Sequence, residues 1–189
     1  MTDQEARRPL HAGHAGRSGQ SNAPEGAAQT HTLVMLVDNR HGALDRVVGL
    51  LRRLRARPQK IAIGQSETQD VVRISVVIDD SEVEVEHLVE QVRKIVDVRH
   101  IVNLPSEQAI TRELALVKVN NSASHYGEII ELGHLFGAHV VDMTPETVTL
   151  EVTGSDEKIE KFVSELQQYG VREVARTGSV AMIRGAETL

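Results

Sequence analysis

One order of elements is written twice along this chain, and a doubled pattern limits the fold more than any single motif. Residues 33–37 are a short apolar run, followed by the turn residues Asp38, Asn39, Arg40, His41 and Gly42. From there the period changes: Leu44, Val47, Val48, Leu51 and Leu54 recur at the three- and four-residue spacing of one helix face. Two strands follow, 59–65 with Ile61 and Ile63 alternating, and 71–78. Val85, Leu88, Val89, Val92, Ile95 and Val96 predict a second helix, and 98–104 a closing strand. The second half repeats the order: a strand at 114–119, a helical stripe of Ile129, Ile130, Leu132, Leu135 and Phe136, then strands at 138–143 and 147–152. A helix carrying Ile159, Phe162, Val163 and Leu166 stops at Gly170, and 171–183 reads as a strand turned around Gly178.

Two copies of a split strand-helix-strand unit of about 70 to 80 residues imply an α+β chain of two consecutive ferredoxin-like βαββαβ domains. Each copy predicts a four-stranded antiparallel sheet with two helices on one face. The other face and the sheet edges stay open, and pairing with another copy is the economical way to cover them. Residues 1–30 are rich in Gly, Ala, Ser, Gln, Arg and His without apolar periodicity, so a disordered N-terminal arm is expected. The expected divisions are 31–105 for the first domain, 106–111 for a linker and 112–189 for the second domain.

Several function classes are excluded by what the chain lacks. Two Tyr, two Phe and no Trp leave little to stack on bases, and a formal charge of −6 disfavours phosphate backbones, so no nucleic-acid partner is expected. With no cysteine there are no disulfides, thiolate metal sites or Cys nucleophiles. No apolar run approaches the roughly 20 residues that span a bilayer, so no membrane partner is expected and a cytoplasmic location is. The histidines show no i, i+4 metal pair, and no P-loop, Gly-x-Ser-x-Gly or dinucleotide fingerprint occurs. Almost all carboxylates fall on presumed polar helix faces. Catalytic and metal residues are therefore assigned to none.

The junction at residues 38–44 is the candidate ligand site. The first N–H groups of a helix lack internal partners and carry about half a positive charge, and a glycine there lets a small anion approach the backbone. Gly42 occupies that place, with Asn39 beside it as donor and acceptor. From these residues alone, a plain strand-to-helix turn is the commoner use of such a junction. The basic run Arg46, Arg52, Arg53, Arg55 and Arg57 reads as the solvated side of the helix.

Blocks spread from about residue 31 to residue 185 carry a resemblance. They are Asp38-Asn39-x-x-Gly42-Ala-Leu-x-Arg46-Val-Val-Gly49-Leu, the 88–97 helix, Arg112-Glu-Leu-Ala-Leu-Val-Lys118-Val, Glu128-Ile-Ile-Glu-Leu, Val140-Val-Asp142-Met-Thr-Pro145, Glu173-Val-Ala-Arg176-Thr-Gly178-Ser-Val-Ala, and Arg184-Gly185. Together they resemble the regulatory small subunit of acetohydroxyacid synthase, also called acetolactate synthase. The resemblance implies an N-terminal ACT domain, a ferredoxin-like C-terminal domain, and a homodimer with ACT sheets side by side. Valine or another branched-chain amino acid would bind between ACT domains, at Asn39, His41, Gly42, Ala43, Leu44, Arg57 and Pro58. The chain would carry no cofactor and do no chemistry. It would activate a catalytic large subunit, which holds thiamine diphosphate, FAD and magnesium, and confer feedback inhibition on it.

One departure from that pattern bears on the effector. Family members follow the first helix with Arg-Gly-Phe/Tyr-Asn-Ile, where the Asn helps bind the effector; here the run is Leu54-Arg55-Ala56-Arg57-Pro58. An amide able to accept from an ammonium group becomes a cation that only donates, and a helix-ending glycine is lost. Weakened or altered valine sensitivity is the expectation. A stand-alone ACT-domain amino-acid sensor acting on some other protein is the alternative reading, and an acylphosphatase-type enzyme a more distant one.

Overall fold

The computed structural model describes residues 30–79, 81 and 83–189; apart from Thr30, the expected arm lies outside the described residues. The first half forms β1 (Thr30–Asp38), α1 (Ala43–Arg53), β2 (Pro58–Gln65), β3 (Val71–Asp79), α2 (Val85–Arg93) and β4 (Val98–Leu104). Its strands lie in the order β2-β3-β1-β4, every neighbour antiparallel. The second half forms β5 (Ala109–Asn120), α3 (Tyr126–Phe136), β6 (His139–Met143), β7 (Thr147–Gly154), α4 (Asp156–Leu166), β8 (Val171–Arg176) and β9 (Val180–Ile183). Its sheet runs β6-β7-β5-β8, and β9 pairs with the start of β5. Two ferredoxin-like α+β units are thus present, as the doubled pattern predicts.

Alternation along the strands sets the two main cores. Leu33, Met35 and Val37 of β1 meet Val47, Leu50 and Leu51 of α1 and Leu88 and Val92 of α2. Ala115, Val117 and Val119 of β5 meet Ile129 of α3 and Ile159, Phe162 and Leu166 of α4. Each fully buried aliphatic or Phe side chain contributes about 1.5–3 kcal/mol of transfer free energy, offset largely by chain entropy.

Three expectations are corrected. α2 ends at Arg93, so Val96 falls in the following turn and is 84 % exposed. In α3 the buried face is Ile129 and Gly133, because a Cβ at Gly133 would come within 3.0 Å of Leu150; that close approach turns Leu135 outward to 78 % exposure. Most consequential, the open face of the first sheet is covered by its own chain. β5 begins at Ala109, within the expected linker, and its first residues pair with β9. Ala109 and Ala181 of that ribbon form a third core with Val34 and Leu104. Two side-chain-to-backbone hydrogen bonds anchor it, with Ala181 N donating to Ser75 Oγ at 3.3 Å and Arg73 Nη2 to Ala181 O at 2.9 Å. Among the described residues no helix is long and apolar enough to cross a membrane.

Candidate functional site

At the end of β1 the backbone turns tightly. Asn39 N donates to Asp70 O at 2.8 Å, Ala43 N to Arg40 O at 3.0 Å, and Arg46 N makes the first helical bond to Gly42 O at 3.0 Å. Gly42 is the N-cap at φ 76°, a left-handed backbone that favours glycine, and no side chain caps the helix. Among the described residues the amides of Leu44 and Asp45 therefore have no backbone acceptor. Arg46 adds a cation one turn on. Its Nε and Nη2 donate to Asp97 Oδ2 at 2.7 and 2.6 Å, and Nη1 lies 3.1 Å from where a Cβ on Gly42 would stand. Because the Asp97 side chain is buried, this guanidinium is fixed beside Gly42 rather than swept through solvent. Free amides, a positive helix end and an oriented guanidinium together form a corner suited to a carboxylate.

The other feature lies along the same helix. Between α1 and the outer strand β2 runs an open cleft of about 670 Å³, lined by Val48, Leu51, Ala56, Arg57, Pro58 and Ile61. Its apolar walls continue into exposed Leu44 on α1 and exposed Ile63 on β2. The helix ends above the cleft with Arg55 in the left-handed region at φ 60°. Arg55 N donates to Arg52 O and Ala56 N to Leu51 O, the paired bonds of a Schellman ending, so arginine holds the place glycine usually takes. Arg57 begins the next strand region exposed to solvent and close to Asp79. The Asp79 carboxyl is held below its usual range, first by hydrogen bonding from Ser81 and to a lesser degree by the Arg57 charge.

Asn39, His41, Gly42 and Leu44 gather at the N-terminal end of α1, whereas Arg57 and Pro58 lie beyond its C-terminal end. The eleven residues of α1 stand between Gly42 and the Arg57–Pro58 pair, about 16 Å at 1.5 Å per residue. Ala43 is 3 % exposed and packs into the first core, so only its backbone faces the corner. The basic run does lie on the solvated side, Arg46 included at 47 % side-chain exposure, but its spacing did not reveal that Arg46 pairs with the remote Asp97, and the buried Asp97 and Glu113 are exceptions to carboxylates on polar helix faces. Both members of the Arg46–Asp97 pair lie within the blocks that carry the resemblance, which was the available signal. Among the described residues no group of three or more His, Cys, Asp or Glu could hold a metal ion.

Paired antiparallel βαββαβ sheets with a cleft along the first helix define a ferredoxin-like, ACT-type α+β chain. The comparisons make it specific. Residues 33–100 match the family described as the AHAS small subunit-like ACT domain, and residues 112–185 the family described as the small subunit of acetolactate synthase. The acetolactate synthase small subunit of Mycolicibacterium smegmatis is 39 % identical over 156 residues, 82 % of this chain and 92 % of that one. A probable acetolactate synthase small subunit of Archaeoglobus fulgidus is 36 % identical over 155 residues, 82 % of this chain and 97 % of that one. The crystal structure of the acetolactate synthase small subunit from Thermotoga maritima superposes with a TM-score of 0.78 at 32 % identity, covering 84 % of this chain and 99 % of that one. The chain belongs to the acetolactate synthase small-subunit family, whose part is regulatory, with catalysis in the large subunit.

Proposed function

We propose that this chain forms a homodimer through its ACT domains, activates the catalytic large subunit of acetolactate synthase, and brings it under feedback control by valine or a related branched-chain amino acid. The observation that carries the reading is the separation of the two half-sites at opposite ends of α1. A two-fold axis perpendicular to the sheet at the β2 edge sets adjoining β2 strands antiparallel, and so lays the start of one α1 beside the end of its partner. Each Gly42 corner then faces an Arg57–Pro58 cleft from the other copy, and the exposed Leu44, Val48, Ile61 and Ile63 supply an apolar seam. A branched-chain amino acid has the matching chemistry: a carboxylate for the corner and an aliphatic side chain for the cleft. Asn39, His41, Gly42, Ala43 and Leu44 of one copy and Arg57 and Pro58 of the other are the proposed contacts.

On this reading the cofactors, thiamine diphosphate, FAD and magnesium, belong to the catalytic partner, and the complex is cytoplasmic. The proposed domains are 31–105 and 112–189, with residues 109–111 of the segment between them extending β5 back over the first sheet. The test is acetolactate formation by the catalytic subunit with and without this chain, titrated with valine, leucine and isoleucine. Stimulation by the chain, reduced by one of the three, supports the proposal. A catalytic subunit that neither co-purifies with the chain nor responds to it overturns the proposal.

A further inference from the structure

Strand β2 presents its side chains to two different places. Ile61 lines the cleft beside α1 and Ile63 shares its face of the strand, while Lys60 and Ala62, paired in register with Val77 and Ser75, face the opposite side. There Lys60 crosses to the second half of the chain. Its Nζ donates to Glu113 Oε2 at 2.8 Å and also pairs with Asp156. The Glu113 side chain is 1 % exposed, and it also accepts from the Arg176 guanidinium and, at 3.3 Å, from Ser179 Oγ. Arg176 in turn holds Asp156 at 2.6 Å and pairs with Glu160. Beside this network Gly178, at φ 76°, lets the 177–179 corner lie against the β2 backbone; a Cβ there would stand 2.8 Å from the Ile61 carbonyl oxygen. The strand that walls the cleft is thereby clamped from behind by side chains 53 and more residues away.

We propose that Glu113 is a positioning residue that ties β2 to the second sheet through Lys60, so that occupancy of the cleft is relayed to residues 176–183. The relay rests on the effector reading above; the tie itself does not. A buried carboxylate deprived of one cation, or a cation of its buried carboxylate, relaxes toward solvent, and both sides of the seam loosen. Since Ile61 and Lys60 are consecutive on one strand, a ligand that shifts Ile61 cannot leave Lys60 in place.

Hydrogen exchange followed by mass spectrometry on the full chain tests both parts. Without ligand, Glu113→Gln is expected to speed exchange several-fold at 58–65, and Lys60→Met to speed it several-fold at 176–183, with α2 and α3 unchanged. If Glu113→Gln does not fold, Lys60→Met, at a partly exposed position, decides alone. Folded variants with wild-type exchange across the seam overturn the tie. With valine, leucine or isoleucine added, the wild-type chain is expected to gain protection at 39–44 and at 176–183, whereas in Lys60→Met the gain stops at the first sheet. Wild-type protection confined to the first sheet overturns the relay. Protection nowhere, with any of the three, contradicts the effector reading, and with it the relay, while the ligand-free comparison still decides the tie.

Discussion

The carbonyl oxygen of Ile61 lies 2.8 Å from the position a Cβ would occupy on Gly178, so the two halves of the chain meet backbone to backbone at a place where no side chain fits. Gly185 offers a control, with an equally left-handed backbone at φ 94° and nothing within 4 Å. Gly178→Ala is expected to cost about 2–4 kcal/mol, combining backbone strain with the clash. Gly185→Ala should cost at most about 1–2 kcal/mol, from strain alone. Urea midpoints measure both, and equal losses would contradict a tight seam.

The same seam sets an acid limit on stability. Burial acts to raise the Glu113 carboxyl, but hydrogen bonds from Arg176 and Lys60 outweigh it and hold the group below its ordinary value of 4.5. A carboxylate depressed on folding stabilises fully above its unfolded value, and that contribution is lost as pH falls through the folded one. Asp156 is lowered in the same way, with burial again opposed by Lys60 and Arg176. Melting temperatures of wild type and Glu113→Gln should therefore differ most at neutral pH and converge below about pH 4.5. A gap that stays constant into acid would place the ionised carboxylate outside the stabilising network.

Periodicity carried most of the fold, because the doubled element order depends on local spacing: 3.6 along α1 and 2 along β2. The Gly42 corner was legible for the same reason, being a contiguous turn. What failed was long-range. Nothing near Ala181 says that it will cover Val34, and nothing near Arg46 names Asp97 as its partner. Leu135 fits a helical stripe, yet Gly133 lets α3 approach β7 closely enough to choose a different face. Glu113 alternates with buried Ala115 and Val117, so its inward place was implied by strand phase, but a burial-ready carboxylate is credible only once Lys60 and Arg176 are seen beside it.

The ending of α1 carries a correctable strain. Arg55 sits at φ 60° where a left-handed backbone costs an L side chain about 1–2 kcal/mol, against the smaller entropy cost of glycine in the unfolded chain. Arg55→Gly is expected to stabilise the protein by about 0.5–1 kcal/mol, read as a raised urea midpoint with unchanged slope. A lowered midpoint would mean that the Arg55 side chain makes contacts worth more than the strain.

At the corner, Gly42→Asp sets a carboxylate beside Arg46 and the free amides, in the place proposed for the effector's own acid group. Asp tolerates the left-handed region better than most residues, so the fold should survive. Inhibition of the assembled enzyme is expected to need at least about tenfold more effector, in line with the 1.5–3 kcal/mol of a charge-assisted hydrogen bond. Unchanged inhibition would move the carboxylate site elsewhere.

In the proposed effector site Arg57 is the residue most able to retune binding, because it lines the cleft and presents only donors where the resemblance implies an amide. An ammonium group brought close to that guanidinium meets a like charge, one that also lowers the nearby Asp79 carboxyl. Arg57→Asn restores an acceptor and removes the cation. Calorimetry on the purified full chain should then show valine binding about tenfold tighter than in the unaltered chain, with the difference shrinking as salt is added, because the repulsive part is screened. Tight, salt-independent binding by the unaltered chain would instead mean that Arg57 turns toward the effector's carboxylate, and the Asn variant would then bind more weakly.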